Sequence, residues 1–164
     1  FKDITKREKI EKKLKERKER FRSLFDYNPD AVFASDKEGD FISVNKSSQK
    51  ISGYSKEELL NMCFENLLVD KYVEKTWRNF NKAIQGEACD LEVKISKKDT
   101  GVRNLWLKVF PMKIDGEIIG VYGIAKDITE KKEMIDKINY IANHDSLTGL
   151  MNRYSIKKYI NELI

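Results

Sequence analysis

The sequence predicts an α+β layer fold. A five-stranded antiparallel sheet carries several short helices on one face, and amphipathic linker helices flank it at both ends. Three observations predict this. Five segments have the lengths and composition of strands, and in one of them Leu105, Leu107 and Val109 fall at every second position, as one face of a strand does. Between the second and third of these segments, over residues 46–85, the period changes to that of a helix. Gly- and Asp-bearing turns then join strands at hairpin distance, at Asp36-Lys37-Glu38-Gly39-Asp40, Lys97-Lys98-Asp99-Thr100-Gly101 and Asp115-Gly116.

The elements follow in order. A helix is expected from Thr5 to Phe25, with Thr5 as its cap and Glu8 at the reciprocal capping position. Its apolar stripe, Ile10, Leu14, Phe21 and Leu24, steps at heptad spacing with Arg17 in the seam. Ala31–Ser35 and Phe41–Val44 make a hairpin, and Asn45 closes the second strand and opens a helical turn stopped by Gly53. Ser55 and Glu58 have capping-box spacing for the next short helix. Asp70 to Gln85 is a longer helix with Val73, Trp77, Phe80 and Ile84 on one face. Three strands end the unit, at Cys89–Ser96, Asn104–Lys113 and Glu117–Lys126. In the middle one, Leu105, Leu107 and Val109 point to the helices. Trp106 and Phe110 point to the outer face and need a cover there. A second helix runs from Thr129 to about Asn143, with Ile128, Ile135, Ile138 and Ala142 as its stripe.

Composition narrows the function. The 164 residues are 36% charged and 40% hydrophobic, with two Pro and eight Gly, which excludes collagen-like and low-complexity chains. No apolar run reaches the ~20 residues of a membrane span, and the charged start at Lys2 has no secretory leader pattern. A cytoplasmic location follows as the expectation, with any anchor of the parent protein upstream of Phe1, since a chain opening on Phe reads as a piece of something longer. Cys63 and Cys89 then read as reduced thiols. His144 has no metal-ligand spacing to either. The net charge of +5 is concentrated in one place: residues 1–22 hold 11 Lys/Arg against 5 Asp/Glu, the rest 21 against 22. Glutamates interleave that basic run, so it reads as a solvated helix face and no nucleic-acid partner is expected. No nucleophile–base pair or metal cluster appears, so no catalytic and no metal residues are assigned.

One stretch repeats. Lys2-Asp3-Ile4-Thr5 recurs as Lys126-Asp127-Ile128-Thr129, each followed by a Lys/Glu-rich helical run. The marks Asn28-Pro29-Asp30-Ala31, Asp36 with Gly39, Asn45, Ile51-Ser52-Gly53-Tyr54-Ser55-Lys56-Glu57-Glu58-Leu59, Asp115-Gly116, Gly120 and Asp127-Ile128-Thr129 form an ordered set. Residues 21–132 thereby resemble a PAS domain with its C-terminal PAC segment. The resemblance implies a PAS fold over residues 21–128, preceded by a linker helix (1–20) from an earlier PAS unit. An output linker helix (129–144) follows. Asp145-Ser146-Leu147-Thr148-Gly149-Leu150-Met151-Asn152-Arg153 resembles the entry motif of GGDEF domains, so residues 145–164 read as a truncated start of a diguanylate cyclase domain. No two glycines are adjacent, so the Gly-Gly signature is absent from this chain and no cyclase activity is expected of it. The parent is implied to make cyclic di-GMP.

The resemblance also implies a cavity between sheet and helices. Ser43, Asn45, Phe64, Tyr72, Trp77, Leu105, Leu107 and Tyr122 are its candidate lining, and Asp127, Ile128 and Thr129 the candidate relay. The cofactor stays unnamed. The helix 70–85 has no His for haem. Asn61-Met62-Cys63-Phe64-Glu65-Asn66 replaces the Asn-Cys-Arg-Phe-Leu-Gln of photoactive flavin domains. Haem through Cys63 or Met62, an FAD stacked on Trp77 or Trp106, another small molecule or none all stay open. Expected partners are a second copy, joined through the flanking helices and the outer sheet face, and neighbouring PAS and GGDEF domains. The rival reading is a ligand-free dimerisation spacer whose core is filled by Phe33, Phe64, Tyr72, Trp77 and Phe80.

Overall fold

The computed structural model describes residues 2–144 and 153–163. They fall into two compact units, residues 1–127 and residues 128–164. The first opens with α1 (Lys2–Asp26) and continues through β1 (Ala31–Asp36), β2 (Phe41–Val44), α2 (Lys46–Ser52), α3 (Lys56–Leu60), α4 (Val73–Ile84), β3 (Cys89–Ser96), β4 (Val102–Ile114) and β5 (Glu117–Asp127). The second holds α5 (Thr129–Asn143) and α6 (Arg153–Leu163).

The sheet is five-stranded and antiparallel, in the order β2-β1-β5-β4-β3. The expected α+β layer architecture is therefore present. The turn chemistry explains the hairpins. Asp115 and Gly116 both have positive φ, 52° and 80°, as a two-residue turn between twisted strands requires. Gly53 ends α2 in the left-handed region at φ 79°, its N–H bonded to the Gln49 carbonyl. Ser55 and Glu58 make the expected capping box on α3.

Strand alternation sorts the two faces. Leu105, Leu107 and Val109 are buried under the helices, as are Leu91, Val93 and Ile95 of β3. Trp106 is 41% exposed on the outer face, and Phe110 packs there against Tyr122 with ring centroids 5.8 Å apart.

Two of the helices differ from expectation. α1 begins at Lys2, so Thr5 lies inside the helix and does not cap it. Asp70–Tyr72 is a separate 3₁₀ turn before α4. The buried face of α4 is Thr76, Phe80 and Ala83, while Val73, Trp77 and Ile84 flank it half-exposed. α5 starts at the expected Thr129, with Ile128 in the cap position before it. Residues 145–152, which carry most of the GGDEF-like motif, lie outside the described residues.

Candidate ligand pocket

The chain between α3 and α4 builds the roof of the pocket. A 3₁₀ turn at Phe64–Leu67 sits inside it. On one side this connector bonds to β2, with the Phe41 N–H donating to the Met62 carbonyl at 3.1 Å. On the other it bonds to β3, with the Val69 N–H donating to the Lys94 carbonyl at 3.0 Å. Both are edge strands, so the connector is tied to the sheet at both edges and covers exposed ladder groups there. Phe64 and Leu67, both buried, are thereby held over the inner face.

Between roof and sheet lies a cavity of about 80 Å³. The sheet contributes Phe33, Val93, Leu105, Leu107 and Ala125; the helical layer contributes Ile51, Leu59, Phe64, Leu67 and Phe80. The polar residues of the lining are Ser48, Ser52 and Thr76. All three are buried, and all three spend their proton inside the protein. Ser48 Oγ donates to Asn45 Oδ1 at 2.8 Å. Ser52 Oγ donates to the Ser48 carbonyl at 2.7 Å, and Thr76 Oγ1 to the Tyr72 carbonyl at 2.7 Å. No titratable side chain lines the cavity.

Of the eight lining candidates read from sequence, Phe64, Leu105 and Leu107 line this cavity. Five do not. Tyr122 follows Val121 and precedes Gly123, the glycine beneath the Phe33 ring, so alternation sends it to the outer face with Phe110. Ser43 pairs with Ala34, which also pairs with Tyr122, and so shares that outer face. Asn45 is fully buried but behind the wall: its Oδ1 accepts from the N–H groups of Val32 and Ser48, and its Nδ2 donates to the carbonyls of Phe25 and Asp30. That leaves no group for a ligand. Tyr72 packs against the core from the start of α4, outside the cavity lining. Trp77 packs behind Phe64 with tilted rings, centroids 4.6 Å apart, and donates its Nε1 proton to Glu65 at 3.0 Å. The two thiols are free, and burial pushes the Cys63 thiol above its ordinary pKa, away from the reactive thiolate.

The sequence reading missed Ser48, Ser52 and Thr76. Ser48 and Ser52 are four apart on α2, and Thr76 is four before Phe80, so helical spacing carried the signal. In α4 the larger Trp77 drew the predicted face one position away.

Of the relay residues, Asp127 ends β5 and pairs with Arg103, Oδ2 to Nη1 3.9 Å. Ile128 is the cap position and Thr129 is buried. Among the described residues no helix is long and apolar enough to cross a membrane, and no cluster of His, Cys, Asp and Glu could hold a metal.

Comparison with known proteins places the chain. The sequence profile of the PAS fold matches residues 25–133. The signaling protein YkoW of Bacillus subtilis is 28% identical over 159 residues, covering 95% of this chain and 19% of that protein. The probable diguanylate cyclase DgcE of Escherichia coli is 26% identical over 166 residues, covering 99% of this chain and 15% of that protein. The chain thus spans less than a fifth of these relatives. Among solved structures, the PAS domain of a Colwellia psychrerythraea protein is 29% identical with a TM-score of 0.62, over 71% of this chain and 98% of that one. The PAS domain of an HTR-like protein from Haloarcula marismortui has a TM-score of 0.63 at 22% identity, over 74% of this chain and 99% of that one.

Proposed function

From the premise that this chain belongs to the PAS fold family, we propose that it is the sensing and relay module of a larger signalling protein with a diguanylate cyclase output domain. The state of its cavity, or of its dimer, is passed through α5. One observation carries the reading. β5 supplies Ala125 to the cavity wall and ends at Asp127, and α5 starts at Thr129, so a single residue separates cavity strand from output helix. The names of the relatives and the motif at 145–153 support the cyclase as output.

The test is Asp127→Ala in the full-length protein, with cyclic di-GMP synthesis measured across the conditions that regulate it. The Arg103 pair it removes is partly exposed, so the loss of that pair should itself cost no more than about 1 kcal/mol. The expected result is a folded protein whose synthesis no longer responds. A full regulatory response from the variant overturns the relay.

A second reading is favoured by size. Small-molecule sites occupy about 300–1,000 Å³, and this cavity is far smaller, with Phe33, Phe64 and Phe80 in its wall. A ligand-free spacer that dimerises through α1 fits that volume as well.

A further inference from the structure

We propose that the cavity selects an uncharged, mostly apolar molecule of about three to four non-hydrogen atoms, scaled from the six of benzene in a cavity of ~150 Å³, carrying one hydrogen-bond donor: a short-chain alcohol. The proposal rests on the ligand-sensing reading above and names its ligand class.

Volume sets the size. About 80 Å³ is roughly half the ~150 Å³ apolar cavity that admits benzene. It is several times smaller than the ~300–1,000 Å³ of sites that take larger ligands.

Charge sets the class. With no Arg, Lys or His in the wall, a carboxylate or phosphate entering the cavity would lose its hydration without compensation.

The hydroxyls set the polarity of the one polar contact. A hydroxyl has one proton and two lone pairs. The protons of Ser48, Ser52 and Thr76 are committed to Asn45 Oδ1 and to the Ser48 and Tyr72 carbonyls. Ser52 Oγ also accepts from the Tyr54 N–H at 3.3 Å, which leaves one lone pair there. The wall therefore offers acceptors and no donor. A ligand that donates, such as an alcohol, can be satisfied; one that only accepts, such as a ketone, leaves its oxygen bare in an apolar site.

The experiment titrates the chain with 2-propanol, acetone and acetate, which each have about four non-hydrogen atoms around one central carbon and are close in size. Methyl NMR of Leu105, Leu107 and Val93 reads occupancy, with xenon under pressure as a probe that needs no hydrogen bond. The expected result is a saturable shift with 2-propanol, at least fivefold weaker binding of acetone, and none of acetate. Thr76→Val keeps the shape and removes an acceptor, and should weaken 2-propanol about fivefold while leaving xenon unchanged. If Thr76→Val does not fold, Ser52→Ala takes its place. Acetone or acetate binding as tightly as 2-propanol overturns the ligand class and leaves a sensing cavity standing. No saturable shift with any probe, xenon included, overturns the class and the ligand-sensing reading together.

Discussion

The ring of Phe33 on β1 lies over Gly123 on β5, its cross-strand partner. A Cβ added at Gly123 would sit 2.1 Å from Phe33 Cζ, well inside contact distance. The two residues are a matched pair: the glycine lets the ring lie down on the sheet, where it becomes cavity wall. Gly123→Ala must therefore lift the ring or bend the strand. It should destabilise the domain by about 1–3 kcal/mol, the usual cost of overpacking. Phe33→Leu in the same chain should recover part of that loss, because it removes the ring edge that the methyl meets. Urea denaturation of the two single variants and the double variant measures the coupling. Strict additivity would show that the contact does not govern the site.

Asn45 joins α1, β1 and α2 through one amide. It is fully buried, and its five hydrogen bonds run from 2.8 to 3.0 Å. Asn45→Ala leaves the N–H groups of Val32 and Ser48 without this acceptor and the carbonyls of Phe25 and Asp30 without this donor. We expect a loss of about 3 kcal/mol or more. Asn45→Asp keeps the acceptor but turns a carboxylate on two carbonyl oxygens. Burial and those oxygens raise its folded pKa above the unfolded value, so its destabilisation should shrink as pH falls. A variant whose deficit is the same at pH 7 and pH 4 would contradict this geometry.

The strands were legible because period two is local: β3 and the shared face of Leu105, Leu107 and Val109 follow from alternation, and their all-aliphatic character turned that face inward. The capping box at Ser55 and the stop at Gly53 were legible because cap chemistry is also local. The pocket was not. Whether Asn45 faces a ligand or the backbone depends on where residues 25 and 30 come to lie, which no short window contains. Tyr122 failed as a candidate because alternation says which residues share a face but not which face is covered. The face of α4 was misread because a half-buried Trp77 and a buried Thr76 exchange the order that hydrophobicity alone assigns.

Glu58 caps α3 and pairs with Lys98 in the β3–β4 turn. The same turn donates the Lys98 N–H to the Ser52 carbonyl at 3.0 Å, so it straps the end of α2. The Lys98 ammonium bond first, and the Ser55 N–H second, hold the Glu58 carboxyl below the ordinary glutamate range. A lowered folded pKa gives stability that is present above the unfolded value, about 4.3, and lost as pH falls through the folded one. Glu58→Gln keeps the capping geometry and removes the charge. The stability difference between wild type and this variant should be positive at pH 7 and vanish towards pH 3. Added salt should reduce it, because both side chains are partly exposed. A difference that persists at pH 3 would assign the effect to the cap and not to the ion pair.

The apolar stripe of α1 is unburied in the monomer: Ile10, Leu14, Phe21 and Leu24 are 58%, 53%, 61% and 75% exposed. Their four- and three-residue steps put them on one seam, with Arg17 at the position the heptad reserves for an apolar residue. A seam with one charged residue in it is a weak interface, since that guanidinium must be desolvated or splayed out. If a second copy covers α1, Arg17→Leu should tighten self-association at least about tenfold, from the apolar area that leucine adds. Leu14→Glu should weaken it by a similar factor. Neither change touches the sheet or the cavity, so thermal unfolding of the monomeric domain should stay the same. Sedimentation equilibrium over a range of chain concentrations reads both variants. Association that ignores both substitutions would move the dimer contact off α1 and onto the outer face around Trp106.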